Sequence, residues 1–524
     1  MPEADRTVPP SPAIEAAAVP RPAYRRKLFW VALLYFSEGL PLGVFYDLFP
    51  VWFRQQGVPL ADIGALSLLG LAWTVKFLWA PAVDHARRHR WWICAANLGM
   101  AGVMLAFAYA GIALGAWAWV AIGVFTMLSA TNDIATDGYT IELLDAREYG
   151  LANGVRIGFY RAGMLAAGAM LIVAGWWSWP WAWALGAAAF VLNGLVALLA
   201  PAERARPGAP TSSLGSEWAA LRSQPLFLVA LALVLVGLLW PVLPPLLKWL
   251  ARPELAGLQA TSTTWWFRGA LPVALMFAGA ALLVGAARGR EASALRAGPM
   301  FGAWVELLAR PGMVAVLAFI LLYKLGDTAM GFMVRPFWVD AGFTPAQIGL
   351  VSVNLGLGLS IAGGLVGGWY VDKRGIFRGL WVLGLWQAAS NLVYAFAAWQ
   401  VPLMTPGALV TGLEVAAADQ AVVYAASAME SLTQGLGTGA FLAFLMSITS
   451  KERATTEYAI LSSIFAFSRS VAGWAGGIGA QELGYANYFF LTFWLAFPAY
   501  LLLPSVRRML GRSTDATRGE PAGA

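Results

Sequence analysis

The sequence predicts an all-α membrane protein built from two six-helix bundles with two further helices between them, and three observations carry that expectation. The first is composition. Of 524 residues, 59% are hydrophobic and only 12% charged, with a mean hydropathy of +0.66, whereas soluble domains carry roughly 25% charged residues. The second is the length of the apolar runs. They recur at about 20 residues, enough to cross a hydrocarbon core as a helix, and are too continuously apolar for the alternating, roughly 10-residue strands of a barrel. The third is an internal repeat linking the two ends of the chain.

Apolar runs bounded by turns and charges place spans one to six near 28–53, 61–83, 91–114, 117–144, 150–175 and 180–200. Spans seven and eight lie near 225–248 and 264–287. Spans nine to fourteen lie near 312–338, 346–370, 377–399, 421–449, 455–480 and 486–506. The expected organisation is a disordered tail at 1–27, a bundle at 28–200, a linker with the extra helices at 201–298, a bundle at 312–508 and a tail at 509–524. The segment 299–311, with Met300, Trp304, Leu307 and Leu308 on one side, is expected to lie in the membrane interface. The first 20 residues lack the basic-then-apolar pattern of a signal peptide.

The basic residues alternate between loops. Arg21, Arg25, Arg26 and Lys27 precede span one, Arg87, Arg88 and Arg90 follow span two, and Lys373, Arg374 and Arg378 follow span ten. The opposite loops at 114–117, 175–180 and 400–420 hold none, so both termini are expected in the cytoplasm. That distribution also accounts for the net charge of +7 without a nucleic-acid partner. Cys94, the one cysteine, excludes an internal disulfide and a cysteine metal cage. The only histidines, His85 and His89, fall in the basic stretch and read as solvated loop residues. No metal or cofactor is expected, and a membrane-embedded enzyme would need a nucleophile, a metal cluster or a His/Glu dyad at membrane depth, where the sequence has no histidine.

The repeat is the strongest architectural signal. Gly57-Val-Pro-Leu-Ala-Asp-Ile-Gly64 before span two matches Gly342-Phe-Thr-Pro-Ala-Gln-Ile-Gly349 before span ten, and Asp84 and Asp372 end those spans before basic loops. Ser129 to Thr136 in span four matches Ser431 to Thr438 in span twelve, and Tyr160-Arg161 in span five matches Ser468-Arg469 in span thirteen. Two parallel six-helix copies with a substrate site between them are the major facilitator architecture. Gly368-Trp-Tyr-Val-Asp372-Lys373-Arg374-Gly375 resembles the G-x-x-x-D-R/K-x-G signature of such transporters. Asp84 with Asp372, Lys373 and Arg374 therefore forms a candidate cytoplasmic gate, an acid at a helix end being able to pair with a cation or helix N-terminus of the other half.

Charges within spans cost about 2.5–3.5 kcal/mol each and mark functional candidates. Asp133 and Asp137 share one face of span four, with Arg156 and Arg161 available on span five. Glu38, Lys76, Lys324, Asp327, Glu430 and Arg469 lie in other spans, and Lys324 and Asp327 could simply neutralise each other. Glu142, Asp47 and Arg335 lie near span ends and are expected to face water. Carboxylates that alternate between protonated and ionised forms suit proton coupling. Buried lysines and arginines suit an anionic substrate.

Six stretches in order resemble the AmpG-type muropeptide permeases: Lys76-Phe-Leu-Trp79-Ala-Pro81, Ser129-Ala-Thr-Asn132-Asp133-Ile-Ala-Thr-Asp137, Tyr160-Arg161-Ala-Gly163-Met164, Leu322-Tyr-Lys324-Leu-Gly-Asp327, Gln387-Ala-Ala-Ser390-Asn391, and Glu430 with Gly435-Leu-Gly-Thr438. The resemblance implies proton-driven import of GlcNAc-anhydro-muropeptides, with a lipid bilayer, protons and an anionic glycopeptide as partners. It makes Asp133, Asp137, Asp327, Glu430 and Glu38 the proton-coupling candidates and Lys76, Arg161, Lys324 and Arg469 the carboxylate partners. Asn132, Gln387, Asn391 and Gln434 complete the candidate substrate site. Asn132 and Glu457 each stand where the family usually has Gln, and the extra helices lie between the halves rather than at the C-terminal end. Related branches carry siderophores or acetyl-coenzyme A, and a non-transporting assembly or sensor protein would share the fold.

Overall fold

The computed structural model describes residues 22–76, 79–80, 83, 88–111, 117–144, 149–202, 219, 222–239, 271–288, 302–404, 415–449 and 454–518. Among the described residues every regular element is helical, and a helix satisfies its own backbone groups where no water can. Nine helices among them are long and apolar enough to cross a bilayer: Arg25–Gln55, His89–Ala110, Trp117–Leu143, Val155–Trp176, Trp179–Leu198, Met313–Asp340, Pro345–Arg374, Ile376–Gln400 and Ala417–Ile448. Tyr485–Tyr500 and Leu503–Leu510, bent by 45°, make a tenth if they are one span. The shorter Leu60–Val75 and the 30-residue helix Ala454–Leu483 occupy the places of spans two and thirteen.

Helices overrun the expected spans at both ends. The first begins at Pro22, and the last runs over Leu503–Arg518, beyond the boundary set at 508. Hydropathy marks the thickness of apolar surface, but backbone hydrogen bonding continues into polar flanking turns.

The repeated turns do the same work in both copies. Gly57 and Gly342 adopt φ of 77° and 90°, a region that side chains avoid. The glycines that close each repeat then allow backbones of opposite halves to touch. A Cβ at Gly64 would lie 2.6 Å from Gly477 Cα, and one at Gly349 would lie 2.5 Å from the Gly168 carbonyl oxygen. Spans two and thirteen, and spans five and ten, thus meet through small residues, the usual route to close helix packing in lipid. The Ser67 hydroxyl adds a 2.6 Å hydrogen bond to the Ser470 carbonyl, and Gln481 Oε1 accepts from the Ala61 amide at 3.1 Å.

Of the inserted pair, helices Pro225–Leu239 and Leu271–Arg288 pack on one another. Phe227 and Ala287 share a small core with Val305 and Leu308 of the short helix Gly302–Ala309. Met300 lies outside the described residues. Leu235 joins Val75 of one half and Phe467 and Trp474 of the other in packing around Leu68 and Leu71.

Candidate transport site between the two halves

The seam is closed at one end by a pair that sequence reasoning did not single out. Arg54 Nε and Nη2 donate to the two carboxylate oxygens of Asp340 at 2.6 and 2.7 Å, and the Tyr485 hydroxyl donates to Asp340 Oδ2 at 2.6 Å. Arg54 Nη1 also reaches the Val58 carbonyl at 2.9 Å. Both charged side chains are under 10% exposed. Each stands shortly before the repeated turn of its own copy.

Deeper along the same two spans, Arg335 Nε donates to Asp47 Oδ1 at 2.9 Å. This corrects the expectation that both residues face water. Asp47 lies within a π-helical stretch, Val44–Leu48, and is buried; Arg335 is covered by the opposite half. Position along a span says how deep a residue lies, but not what packs over it. Arg335 Nη1 bonds the Ser352 hydroxyl and Nη2 lies 3.4 Å from the Ser352 carbonyl, within a second π-helical stretch, Ile348–Leu355. These side chains line a cavity of about 230 Å³ that also includes Tyr46, Asp327, Glu430, Gln434 and Arg469. Arg469 stacks over the Tyr46 ring at 4.3 Å, and its Nε is buried without a partner.

The first half holds its own charged cluster. Lys76 Nζ lies 3.6 Å from Asp133 Oδ2, and Arg156 Nη2 lies 3.1 Å from Asp137 Oδ1. The Tyr35 hydroxyl donates to that same oxygen of Asp137 at 2.6 Å, while the Arg156 guanidinium sits 4.5 Å over the Tyr35 ring. Asp133 Oδ1 and Glu38 Oε2 are buried without a hydrogen-bond partner. Arg161 is partly exposed and makes no ion pair among the described residues. The side chains of Lys76, Asp137 and Arg156 are 30%, 35% and 42% exposed, so this cluster is much more open than the Arg54–Asp340 end.

In the second half, Lys324 Nζ is 3.5 Å from Asp327 Oδ2 and donates to the Thr438 hydroxyl at 2.6 Å. The two charges do pair, yet Asp327 Oδ1 remains buried and unpartnered. Glu430 accepts from the Ser431 hydroxyl at 3.3 Å.

Three polar candidates sit in helix contacts instead of on the cavity. Asn132 accepts from Asn97 Nδ2 at 2.9 Å and donates to the Ser37 carbonyl at 3.3 Å. Asn391 donates to Thr492 Oγ1 at 3.1 Å, and Gln387 is buried with Nε2 unpartnered. Of the gate group, Asp372, Lys373 and Arg374 are exposed at the end of helix Gly356–Arg374 and make no ion pair among the described residues; Lys373 Nζ lies 4.4 Å over the Trp369 ring. Asp84 and His85 lie outside the described residues. His89 corrects the solvated-loop expectation: it is buried at the start of helix His89–Ala110, beneath Gly138, with Nε2 3.7 Å from Glu142. The helix begins earlier than its apolar stretch, which carries His89 inward. Glu457 is fully buried and paired with Arg310.

No family model matches the sequence. The chain is 26% identical over 488 residues to the Anhydromuropeptide permease of Escherichia coli (strain K12), covering 91% of this chain and 79% of that protein. It is 22% identical over 488 residues to a transporter designated AmpG 4 in Rickettsia conorii, covering 91% and 95%. The solved structure of the POT family transporter PepTSo superposes with a TM-score of 0.60 at 12% identity over 95% of this chain and 99% of that one, and an auto-inhibited POT family peptide transporter with 0.59 at 15% over 94% and 97%. The fold is that of the major facilitator transporters, several of its helices are long and apolar enough to cross a membrane, and the relatives it matches are named as permeases and transporters. Within that class it is a homologue of the AmpG-type permeases over nine-tenths of its length, as the six matching stretches led one to expect.

Proposed function

We propose that this protein imports GlcNAc-anhydro-muropeptides, or closely similar anionic glycopeptides, by proton symport with alternating access between bundles 28–200 and 312–508. The observation that carries the mechanism is the cavity on the seam, walled by Tyr46 and Asp47 from one half and by Asp327, Glu430 and Arg469 from the other. The ligand class comes from the relatives, one of which is the Anhydromuropeptide permease of Escherichia coli (strain K12). With the basic loops on the cytoplasmic side, Arg54–Asp340 closes the periplasmic end. The more exposed Lys76–Asp133 and Arg156–Asp137 pairs then face the cytoplasm, with Asp372, Lys373 and Arg374 as gate residues at the same end.

One proton crossing a potential of roughly 100 mV supplies about 2.3 kcal/mol, and a net-anionic ligand needs more than one. Two acids in separate halves suit that demand: Asp133 or Asp137 in the first, Asp327 or Glu430 in the second. Lys76, Arg161, Lys324 and Arg469 supply cations for the ligand's carboxylates. The test is uptake of labelled GlcNAc-anhydro-muropeptide into proteoliposomes with and without an inward proton gradient. Accumulation that follows the gradient supports the reading; correctly folded protein that takes up none overturns the substrate.

A further inference from the structure

We propose that Arg335 binds a carboxylate of the transported ligand, and that the ligand takes Arg335 from Asp47, so that binding itself loosens the seam between the halves. The proposal deepens the transport reading above and rests on it.

The two ion pairs joining spans one and nine are built differently. Arg54 and Asp340 form a fork of two hydrogen bonds, with Tyr485 on the same carboxylate, and both are almost closed to solvent. That pair has no spare capacity. Arg335 offers Asp47 only its Nε, and its other two nitrogens are turned to the uncharged Ser352. Asp47 Oδ2 makes no hydrogen bond among the described residues. Both side chains also line the cavity. A guanidinium binds a carboxylate most strongly through two parallel hydrogen bonds, and Asp47 uses one. An incoming carboxylate that takes the fork therefore replaces a single contact with a better one.

Arg469 lies in the same cavity and is stacked across the seam on Tyr46, but it makes no ion pair among the described residues, so a ligand carboxylate there would not compete with an acid of the opposite half. Arg335 is the cation whose occupant also holds the halves together. The π-helical stretches add to this: Asp47 lies in one and Ser352 in the other, and such stretches recur at functional sites.

The test is calorimetric titration of purified full-length protein with a GlcNAc-anhydro-muramyl tripeptide and with the same compound carrying carboxamides in place of its carboxylates. Wild type should favour the acid form by about tenfold or more. Arg335→Gln should reduce that preference about tenfold, with the loss falling mainly on the acid form. Asp47→Asn should bind the acid form about tenfold tighter, because the internal competitor is gone; a merely structural role for the pair would weaken binding instead. Unchanged preference in Arg335→Gln, or weaker binding in Asp47→Asn, overturns the proposal. Should Arg335→Gln fail to fold, Asp47→Asn decides alone. Wild type that binds neither compound removes the muropeptide reading on which the proposal rests, an outcome distinct from the other two.

Discussion

Arg54 and Asp340 stand 286 residues apart in the chain and share two parallel hydrogen bonds at 2.6 and 2.7 Å. They are the most completely satisfied charged pair on the seam, with the Tyr485 hydroxyl on the same carboxylate. A buried pair adds little net stability over an apolar one, but removing one member strands the other charge, at a cost of about 3–5 kcal/mol. The pair therefore acts chiefly on which closed surface the two halves choose.

Asp340→Asn should open that end. A cysteine placed at Leu60, which is buried on the seam, should react with a water-soluble maleimide at least about tenfold faster in the Asp340→Asn background. Equal rates in both backgrounds would show that the pair does not hold the end shut.

Gly477→Val should act on the same surface by bulk alone. Its Cβ would lie 2.7 Å from Gly64 Cα, and overpacking of this kind costs about 1–3 kcal/mol. Lower thermal stability together with lost uptake is expected. Uptake and melting temperature both at wild-type levels would mean that spans two and thirteen do not meet there.

Arg310→Gln should destabilise the protein, because fully buried Glu457 loses its contact with the Arg310 guanidinium; about 1–3 kcal/mol is the expected scale. Arg310 Nη1 also contacts the Ile448 carbonyl at 3.3 Å, so the end of the short helix 302–309 is fastened to two spans. Glu457→Gln in the same protein should restore part of the loss, since the carboxylate that Arg310 had neutralised is then replaced by an uncharged amide. Melting temperatures of the two single variants and the double variant close this cycle, and a double variant no better than Arg310→Gln would sink the account.

Asp133→Asn keeps the shape of the side chain and removes its ability to take up a proton. Gradient-driven accumulation should fall by at least about tenfold, while exchange of labelled for unlabelled ligand across the membrane persists. Full accumulation in this variant would move the coupling role to Asp137 or to the second half.

Much of this was legible in the sequence. Apolar length gave the helices, and the match of Gly57–Gly64 with Gly342–Gly349 gave the two copies; the structure shows why, since both sets of glycines turn the chain and then admit a backbone from the other half. Lys76, Asp133, Lys324 and Asp327 could be nominated because a charge inside an apolar run needs a partner; Lys324 with Asp327 could be paired in advance, whereas the partners expected for Asp133 were Arg156 and Arg161 and the structure sets Lys76 beside it. The misses share one cause. Asp47, Arg54, Arg335 and Asp340 fall near span ends, where water is the default partner, and only the crossing of spans one and nine hides them. A signal was present: Asp47 and Arg54 stand seven residues apart, two helical turns on one face, with opposite charges near the end of an apolar run. His89 was misplaced for a simpler reason, because its helix starts before its apolar residues do.

The wide turns at Val44–Leu48 and Ile348–Leu355 have a geometric consequence of their own. A π-turn carries a surplus residue, and taking it up or giving it back swings the helix beyond it through about 100°. Asp47 and Ser352, which between them grip Arg335, are each mounted on such a pivot. Either one can be turned away from the guanidinium by a local twist that leaves its helix whole, so the grip can change hands without bending a span.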